Sequence, residues 1–474
     1  MKTLDIYLIG ICGTGVGSLA GLLKQQGHRV RGSDEHVYSP MSDKLAEWGI
    51  SAFEGYDAAH LEPAPDLVIV GNVIRAKNPE AACARERSLP TMSMPEAVGE
   101  FGIGAKRGIV IAGTHGKTTT TALVSHILMD AGRDPSFLIG GAPVGYKESF
   151  RDGHGRHFVI EGDEYDTAYF DKGPKFMHYR PHTAVITSLE FDHADIYPTI
   201  EAVEVAFRGL VGKVPADGHL VIWHGADRAR RLAQGHARTS RLTIYATREE
   251  TDAHLWMRRV KSAPEGLVFE PVLRGKSLGE MRVGLWGDFS ACNTLAAIGA
   301  LEDCGLSADE IRHGLATFAG VKRRLEVRGE PHGITVVDDF GHHPTAVRET
   351  LAGARTRWPG RRLWAIFEPR SATTRRSIFQ TELAASFDDA DRAVVASHDR
   401  LHEIPEAERF DPGRLVRELT AKGKWARFEP DVERIVALVG AEARTGDVVL
   451  IFSNGSFNGL HEKLLERLDV AEAR

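Results

Sequence analysis

Ile109-Val110-Ile111-Ala112-Gly113-Thr114-His115-Gly116-Lys117-Thr118-Thr119 runs from a wholly apolar segment through a glycine-bearing turn into Gly-Lys-Thr. The apolar run suits a strand buried on both faces, as in a parallel sheet, and 119–129 follows with a helical pattern. A strand–turn–helix of this kind is built for phosphate. Gly113 and Gly116 let backbone N–H groups close around phosphate oxygens, Lys117 brings a point charge, and the Thr118 hydroxyl suits Mg²⁺, with Thr114 and Thr119 beside them. The spacing is shorter than the familiar GxxxxGK[ST], since Ile111 stands five residues before Gly116. ATP binding is the expectation, with Lys117 an exposed loop lysine.

The same alternation of short apolar runs and helical patterns fills the chain on both sides. Upstream, 4–9 reads as a strand, Gly10-Ile11-Cys12-Gly13-Thr14-Gly15-Val16-Gly17 as a turn, and 18–26 as a helix, with further strands at 28–30 and 67–70. Gly13 and Gly15, with Asp34 after the second strand, fit a dinucleotide site, another diphosphate site or simply a tight turn. Downstream, strands are expected at 157–160, 183–187 and 218–223, edge strands and loops at 228–263, and a helix at 293–304. A third unit has strands at 334–337, 363–367, 393–396 and 448–452. The fold expected is α/β with three domains: a Rossmann-like 1–106, a P-loop ATPase-like 107–320 and a Rossmann-like 321–474.

Composition supports this reading and removes others. The chain has 474 residues, enough for about three domains, with 42% hydrophobic and 26% charged residues, an ordinary globular balance. With 65 acidic against 59 basic residues the formal charge is −6, so no nucleic-acid footprint is expected. Cys12, Cys83, Cys292 and Cys304 are widely spaced. They argue against a disulfide framework or zinc ribbon and for the cytoplasm. No apolar run approaches the roughly 20 residues of a membrane span, and the N-terminus reads as a strand rather than a signal peptide.

Acidic and histidine clusters follow three of the expected strands, where α/β folds place ligands. Glu161-Gly162-Asp163-Glu164-Tyr165-Asp166 offers Glu161 first as a partner for Thr118 in holding Mg²⁺. Glu190-Phe191-Asp192-His193 offers His193 as a further metal ligand. Asp338-Asp339-Phe340-Gly341-His342-His343-Pro344 combines paired acids and histidines with a helix start at Pro344.

Taken with Val321-Lys322-Arg323-Arg324-Leu325-Glu326, these motifs resemble the Mur ligase family in order and spacing across the whole chain. The glycine turn and the His-His-Pro segment resemble its muramate-binding branch. The resemblance implies an ATP- and Mg²⁺-dependent ligase that activates the carboxylate of UDP-N-acetylmuramate as an acyl phosphate and joins it to an amine. It implies roles for Lys117, Glu161, His193, Arg324 and Asp339 in catalysis, and for Asn293 and Arg324 at the nucleotide. Gly13, Gly15 and Asp34 would serve the UDP moiety, with His342, Arg370 and Asn454 also at the substrates.

Residues 162–181, Glu368-Pro369-Arg370-Ser371 and Ser453-Asn454-Gly455-Ser456-Phe457 are similar to the branch that takes a murein tripeptide, L-alanyl-γ-D-glutamyl-meso-diaminopimelate, in peptidoglycan recycling. The alternative donor is free L-alanine, as in de novo synthesis. A nicotinamide-dependent dehydrogenase leaves Gly116-Lys117-Thr118 and the 338–344 motif without a role, and a nucleotide-switched binding protein would show no turnover. Several Mur ligases carry a carbamylated lysine about fifteen residues after the metal-binding histidine. Here that stretch is Val205-Ala206-Phe207-Arg208-Gly209, as expected of the muramate–alanine branch.

Overall fold

The computed structural model describes residues 2–235, 241–397 and 404–470. Five strands, β1 (Asp5–Ile9), β2 (Arg29–Asp34), β3 (Ser51–Glu54), β4 (Leu67–Val70) and β5 (Thr91–Ser93), form a parallel sheet in the order β3-β2-β1-β4-β5. The order reverses at β1, so the glycine turn that follows it opens into the crevice where such sheets bind ligands.

The central sheet contains β6 (Arg107–Ala112), β7 (Ser136–Leu138), β8 (Phe150–Arg151) and β9 (His157–Gly162). After the small hairpin β10 (Asp166–Ala168)–β11 (Asp171–Pro174) it continues with β12 (Pro181–Ile186), β13 (His219–Trp223) and β14 (Arg241–Ala246). The strands β15 (Leu255–Ala263), β16 (Gly266–Leu273), β17 (Lys276–Ser277) and β18 (Met281–Val283) complete it with antiparallel pairings. Strand β6 lies between β9 and β12, parallel to both. Its side chains alternate between two buried layers. Ile109 and Ile111 pack with Leu123 and Ile127 of the helix Lys117–Asp130, while Val110 and Ala112 face Phe176 and Leu210. Burial on both faces is why the segment reads as an unbroken apolar run.

The third sheet has β19 (Glu326–Gly329), β20 (Thr335–Asp339), β21 (Leu363–Phe367), β22 (Arg392–Val395), β23 (Trp425–Phe428) and β24 (Val448–Phe452), in the order β19-β20-β24-β21-β22-β23. All pairs are parallel except β19 with β20. The connection from the central sheet bends through Gly320 (φ +98°), Arg323 (φ +60°) and Leu325 (φ +49°). Two left-handed non-glycine residues in three positions mark a bend held by its surroundings rather than by local preference.

Asp338 is one of those surroundings. It is buried, with Arg323 Nε at 3.2 Å, Arg328 Nη1 at 3.3 Å and His461 Nε2 at 3.3 Å. Burial would raise its pKa, but His461 and the two guanidinium groups outweigh this and hold the carboxyl below its ordinary value. A depressed carboxylate pKa contributes stability above about pH 4 that is lost as pH falls through the folded value. Asp338→Asn should therefore cost about 3 kcal/mol at neutral pH. It should also flatten the acid-induced fall in melting temperature below about pH 4. Melting scans from pH 3 to 7 on both proteins check this, and parallel acid profiles would refute it.

Several elements depart from expectation. The stretch at 228–263 includes a helix, Asp227–Gln234, and two well-formed strands; its residues 236–240 lie outside the described residues. Its helical stripe is narrow, with only Ala229, Leu232 and Ala233 buried among arginines, so polarity masked the period. The helix expected at 293–304 runs Asp288–Ala300, and that expected at 18–26 runs Thr14–Gln25. Both start directly after a glycine at the N-cap, Gly13 in ordinary extended backbone and Gly287 at φ +82°.

Candidate functional site

The carboxyl ends of β6, β9 and β12 meet those of β20 and β24 around one cavity of about 350 Å³. Thr114, Gly116, Lys117, Thr118, Thr119, Glu161, His193, Asn293, Arg324, Asp339, His342 and Asn454 all line it. Gly113 stands at its base, its carbonyl accepting from Lys117 Nζ at 2.6 Å. Gly13, Gly15, Asp34 and Arg370 do not line this cavity.

The loop at 113–118 follows directly from its glycines. Gly113 (φ +134°) and Gly116 (φ +81°) both adopt backbone that side chains avoid. A Cβ on Gly116 would come within 2.3 Å of Asn293 Oδ1, and one on Gly113 within 2.2 Å of Thr187 Oγ1. Asn293 thus sits mid-helix with its amide against the loop, and also accepts from Thr120 Oγ1 at 3.5 Å.

Lys117 is largely buried rather than an exposed loop lysine, its Nζ 3.3 Å from Glu164 Oε2. Burial would lower its pKa, but Glu164, Asp163 and Glu161 hold it above the ordinary lysine value. Glu164 also meets His193, Nε2 to Oε1 at 3.0 Å. Burial pushes the Glu164 carboxyl up, and Lys117 and His193 more than reverse this, bringing it down to about 2. His193 is raised by Glu164 against the effect of its own burial. It holds a left-handed backbone (φ +56°) and tilts its ring 4.0 Å from that of Tyr165.

Glu161 lies inside β9 rather than beyond it. Thr118 Oγ1 donates to its Oε2 at 2.9 Å, and the Gly140 N–H to its Oε1 at 2.6 Å. Burial first, then the charge of Asp163, pushes its pKa up. A hydroxyl and a carboxylate brought together beside a phosphate loop are the hard oxygen donors a Mg²⁺ ion takes.

On the opposite wall, Arg324 lies over the Phe340 ring at 5.3 Å. Asp339 spends both oxygens on backbone: Leu325 N–H donates to Oδ2 and Gly341 N–H to Oδ1, each at 2.8 Å. It therefore pins the bend that carries Arg324. His342 is half-buried, and the desolvation this brings lowers its pKa, with Nδ1 3.3 Å from Phe340 O. Asn454 Oδ1 is buried with no hydrogen-bond partner among the described residues. The two walls are joined by Thr345 Oγ1 donating to Glu190 Oε2 (2.9 Å) and Thr373 Oγ1 donating to Asp192 Oδ1 (2.9 Å).

The remaining candidates occupy two other places. The exposed Gly13 caps the helix Thr14–Gln25, and the turn binds Asp34, whose Oδ2 accepts from Cys12 N–H at 2.8 Å. Gly17 has a packing role: a Cβ there would approach Met41 Sδ to 2.5 Å. Arg370 follows β21, with Nη1 3.8 Å from Glu368 Oε1 and its guanidinium against Gly455.

Sequence reasoning passed over Glu164, which joins Lys117 to His193, and the pocket aromatics Trp286 and Phe289. Glu164 was visible only as one of four neighbouring acids. The aromatics flank Gly287, at the true start of the helix that carries Asn293.

Comparison with known proteins covers the chain from end to end. Family models match at 5–105 (Mur ligase family, catalytic domain), 111–301 (Mur ligase middle domain) and 323–455 (Mur ligase, glutamate ligase domain). The chain is 38% identical to the UDP-N-acetylmuramate–L-alanyl-γ-D-glutamyl-meso-2,6-diaminoheptandioate ligase of Escherichia coli K12, over 98% of each chain. It is 32% identical to the UDP-N-acetylmuramate–L-alanine ligase of Desulfosudis oleivorans, again over 98% of each. A crystal structure of a murein peptide ligase from Psychrobacter arcticus superposes with a TM-score of 0.74 at 34% identity, covering 99% of this chain and all of that one.

Proposed function

This chain belongs to the Mur ligase family of ATP-dependent, amide-bond-forming ligases, and from that we propose that it joins L-alanyl-γ-D-glutamyl-meso-diaminopimelate to UDP-N-acetylmuramate. The observation that supports the choice of donor is the end-to-end match to the E. coli tripeptide ligase, 38% against 32–34% for alanine ligases matched over the same length. The proposed reaction belongs to peptidoglycan recycling and would take place in the cytoplasm, where ATP and UDP-sugars are found. Four free cysteines accord with that compartment, and among the described residues no helix is long and apolar enough to cross a membrane.

In this reading residues 1–106 hold the UDP moiety through the turn at Gly13 and Gly15 with Asp34. Residues 107–320 hold ATP, and 321–474 present the peptide. The lactyl carboxylate attacks the γ-phosphorus, ADP departs, and an acyl phosphate remains. The peptide amine then attacks the carbonyl carbon, loses a proton, and inorganic phosphate leaves from the tetrahedral intermediate. A carboxylate is a poor electrophile, and the mixed anhydride supplies the leaving group it lacks.

The protein's share is positioning and charge. Backbone N–H groups of 113–118 and the Lys117 ammonium hold the phosphates, with Thr114 and Thr119 flanking them and Asn293 backing the loop. Arg324, aimed by Asp339, faces the same cavity from the other domain. Thr118 and Glu161 would hold a Mg²⁺ ion by their oxygens, which when bound neutralises phosphate charge, and His193, now paired with Glu164, is the further ligand the family resemblance implies. Glu164 holds Lys117 and His193 in register. His342, Arg370 and Asn454 meet the substrates from the third domain, the unpartnered Asn454 Oδ1 suiting an amine or amide N–H donor.

Incubating the protein with ATP, Mg²⁺, UDP-N-acetylmuramate and the tripeptide should give one phosphate per molecule of UDP-N-acetylmuramoyl-tripeptide, read by mass spectrometry. Product with L-alanine alone would select the alanine-adding reading instead.

A further inference from the structure

Among the described residues, His115, Glu190 and His343 are the one group of three His, Cys or acidic side chains whose donor atoms all lie within 4.8 Å of one another. His115 belongs to the phosphate loop and Glu190 to the segment after β12, while His343 opens the helix Pro344–Arg357 of the third domain. His115 Nε2 stands 3.3 Å from Glu190 Oε2, and His343 Nδ1 stands 3.9 Å from the same oxygen. The two imidazoles are 8% and 6% exposed, their ring centroids 4.5 Å apart. His343 Nε2 is sealed from solvent with no hydrogen-bond partner among the described residues.

We propose that these three side chains form a zinc-type transition-metal site that assembles only when the third domain docks on the second, and so clips the two together. Two imidazoles and a carboxylate are a donor set that zinc accepts with a fourth position left open. Bonds of about 2.0–2.1 Å in a tetrahedron place donors roughly 3.3 Å apart. The His115–Glu190 pair already stands at that spacing, and His343 Nδ1, at 3.9 Å, needs to close by roughly 0.6 Å on the Glu190 oxygen.

The carboxylate is oriented from outside by Thr345, whose hydroxyl donates to Glu190 Oε2 at 2.9 Å, the kind of support that ligating carboxylates receive. His343 Nδ1 now accepts from Thr345 N–H at 3.2 Å. Ligation through Nδ1 gives up this long cap bond, and turning the ring offers Nε2, which has no bond to lose. The set shares no residue with Thr118, Glu161 and His193. Its nitrogen donors favour zinc-like ions, whereas Mg²⁺ prefers oxygen.

The test is a titration of Co²⁺ into the full-length, nucleotide-free protein, followed by visible absorption. One Co²⁺ per chain should give the d–d bands of a four-coordinate site. Glu190→Gln and His343→Asn should each weaken that binding at least about tenfold; asparagine still caps the helix. His193→Asn should leave the bands in place. One equivalent of Zn²⁺ should raise the melting temperature of the wild type and of His193→Asn but not of the other two, whose metal-free melts report their folding. Absence of the bands in the wild type, their survival in either of those two variants, or their loss in His193→Asn overturns the proposal.

Discussion

Lys117→Ala should lower ATP-dependent ligation by about three orders of magnitude, the scale on which a preorganised charge at a transferring phosphoryl group acts. Lys117 Nζ reaches the Gly113 carbonyl and Glu164, and both hold it over the loop where the phosphates are proposed to bind. The variant should also lose stability, because Glu164 is left buried with His193 as its remaining ionic partner. The double variant Lys117→Ala/Glu164→Gln separates the two effects: it should recover melting temperature while activity stays lost. Turnover above about a tenth of wild type in the single variant would remove Lys117 from the phosphate site.

The tripeptide should be used at least about a hundredfold better than free L-alanine, measured as kcat/KM at saturating ATP and UDP-N-acetylmuramate. A tripeptide carries carboxylates remote from the reacting amine. A site that grips them uses that binding energy to orient the amine, so the shorter donor loses kcat as well as affinity. Arg370, Glu368 and Asn454 lie after β21 and β24, on the carboxyl edge of the third sheet. An arginine takes a carboxylate with two parallel hydrogen bonds. Its present partner, Glu368 at 3.8 Å, is beyond hydrogen-bond reach, so little is given up on substrate binding. Arg370→Ala should depress tripeptide use about tenfold or more while UDP-N-acetylmuramate binding, assigned to the first domain, is unchanged. Equal turnover with L-alanine would end the tripeptide assignment. A matching loss of UDP-N-acetylmuramate binding in Arg370→Ala would place Arg370 elsewhere in the reaction.

Most of the architecture was legible because its signals are local. The apolar run of β6, Gly113 and Gly116 in the turn, and Pro344 at the first position of its helix each act within a few residues through φ/ψ limits, caps and burial. So did the strands at 363–367 and 448–452, which the structure places at those residues. The helix Asp227–Gln234 was not legible, since its three buried positions lie among charged ones and the polarity read as loop.

The site divides along the same line. Sequence alone determined the residue types, their order along the chain and their attachment to strand ends, and so a glycine-bearing loop facing acids and histidines. Which acid meets which cation came from the pairing of β6 with β9 and β12. That pairing brings Glu164 to Lys117 across 47 residues and sets Glu161, not its neighbours, against Thr118. The bond from Thr345 to Glu190 spans 155 residues, and that from Thr373 to Asp192 spans 181. Contacts of that range depend on how separately folded sheets dock through buried surface, and no local pattern in the chain records the result.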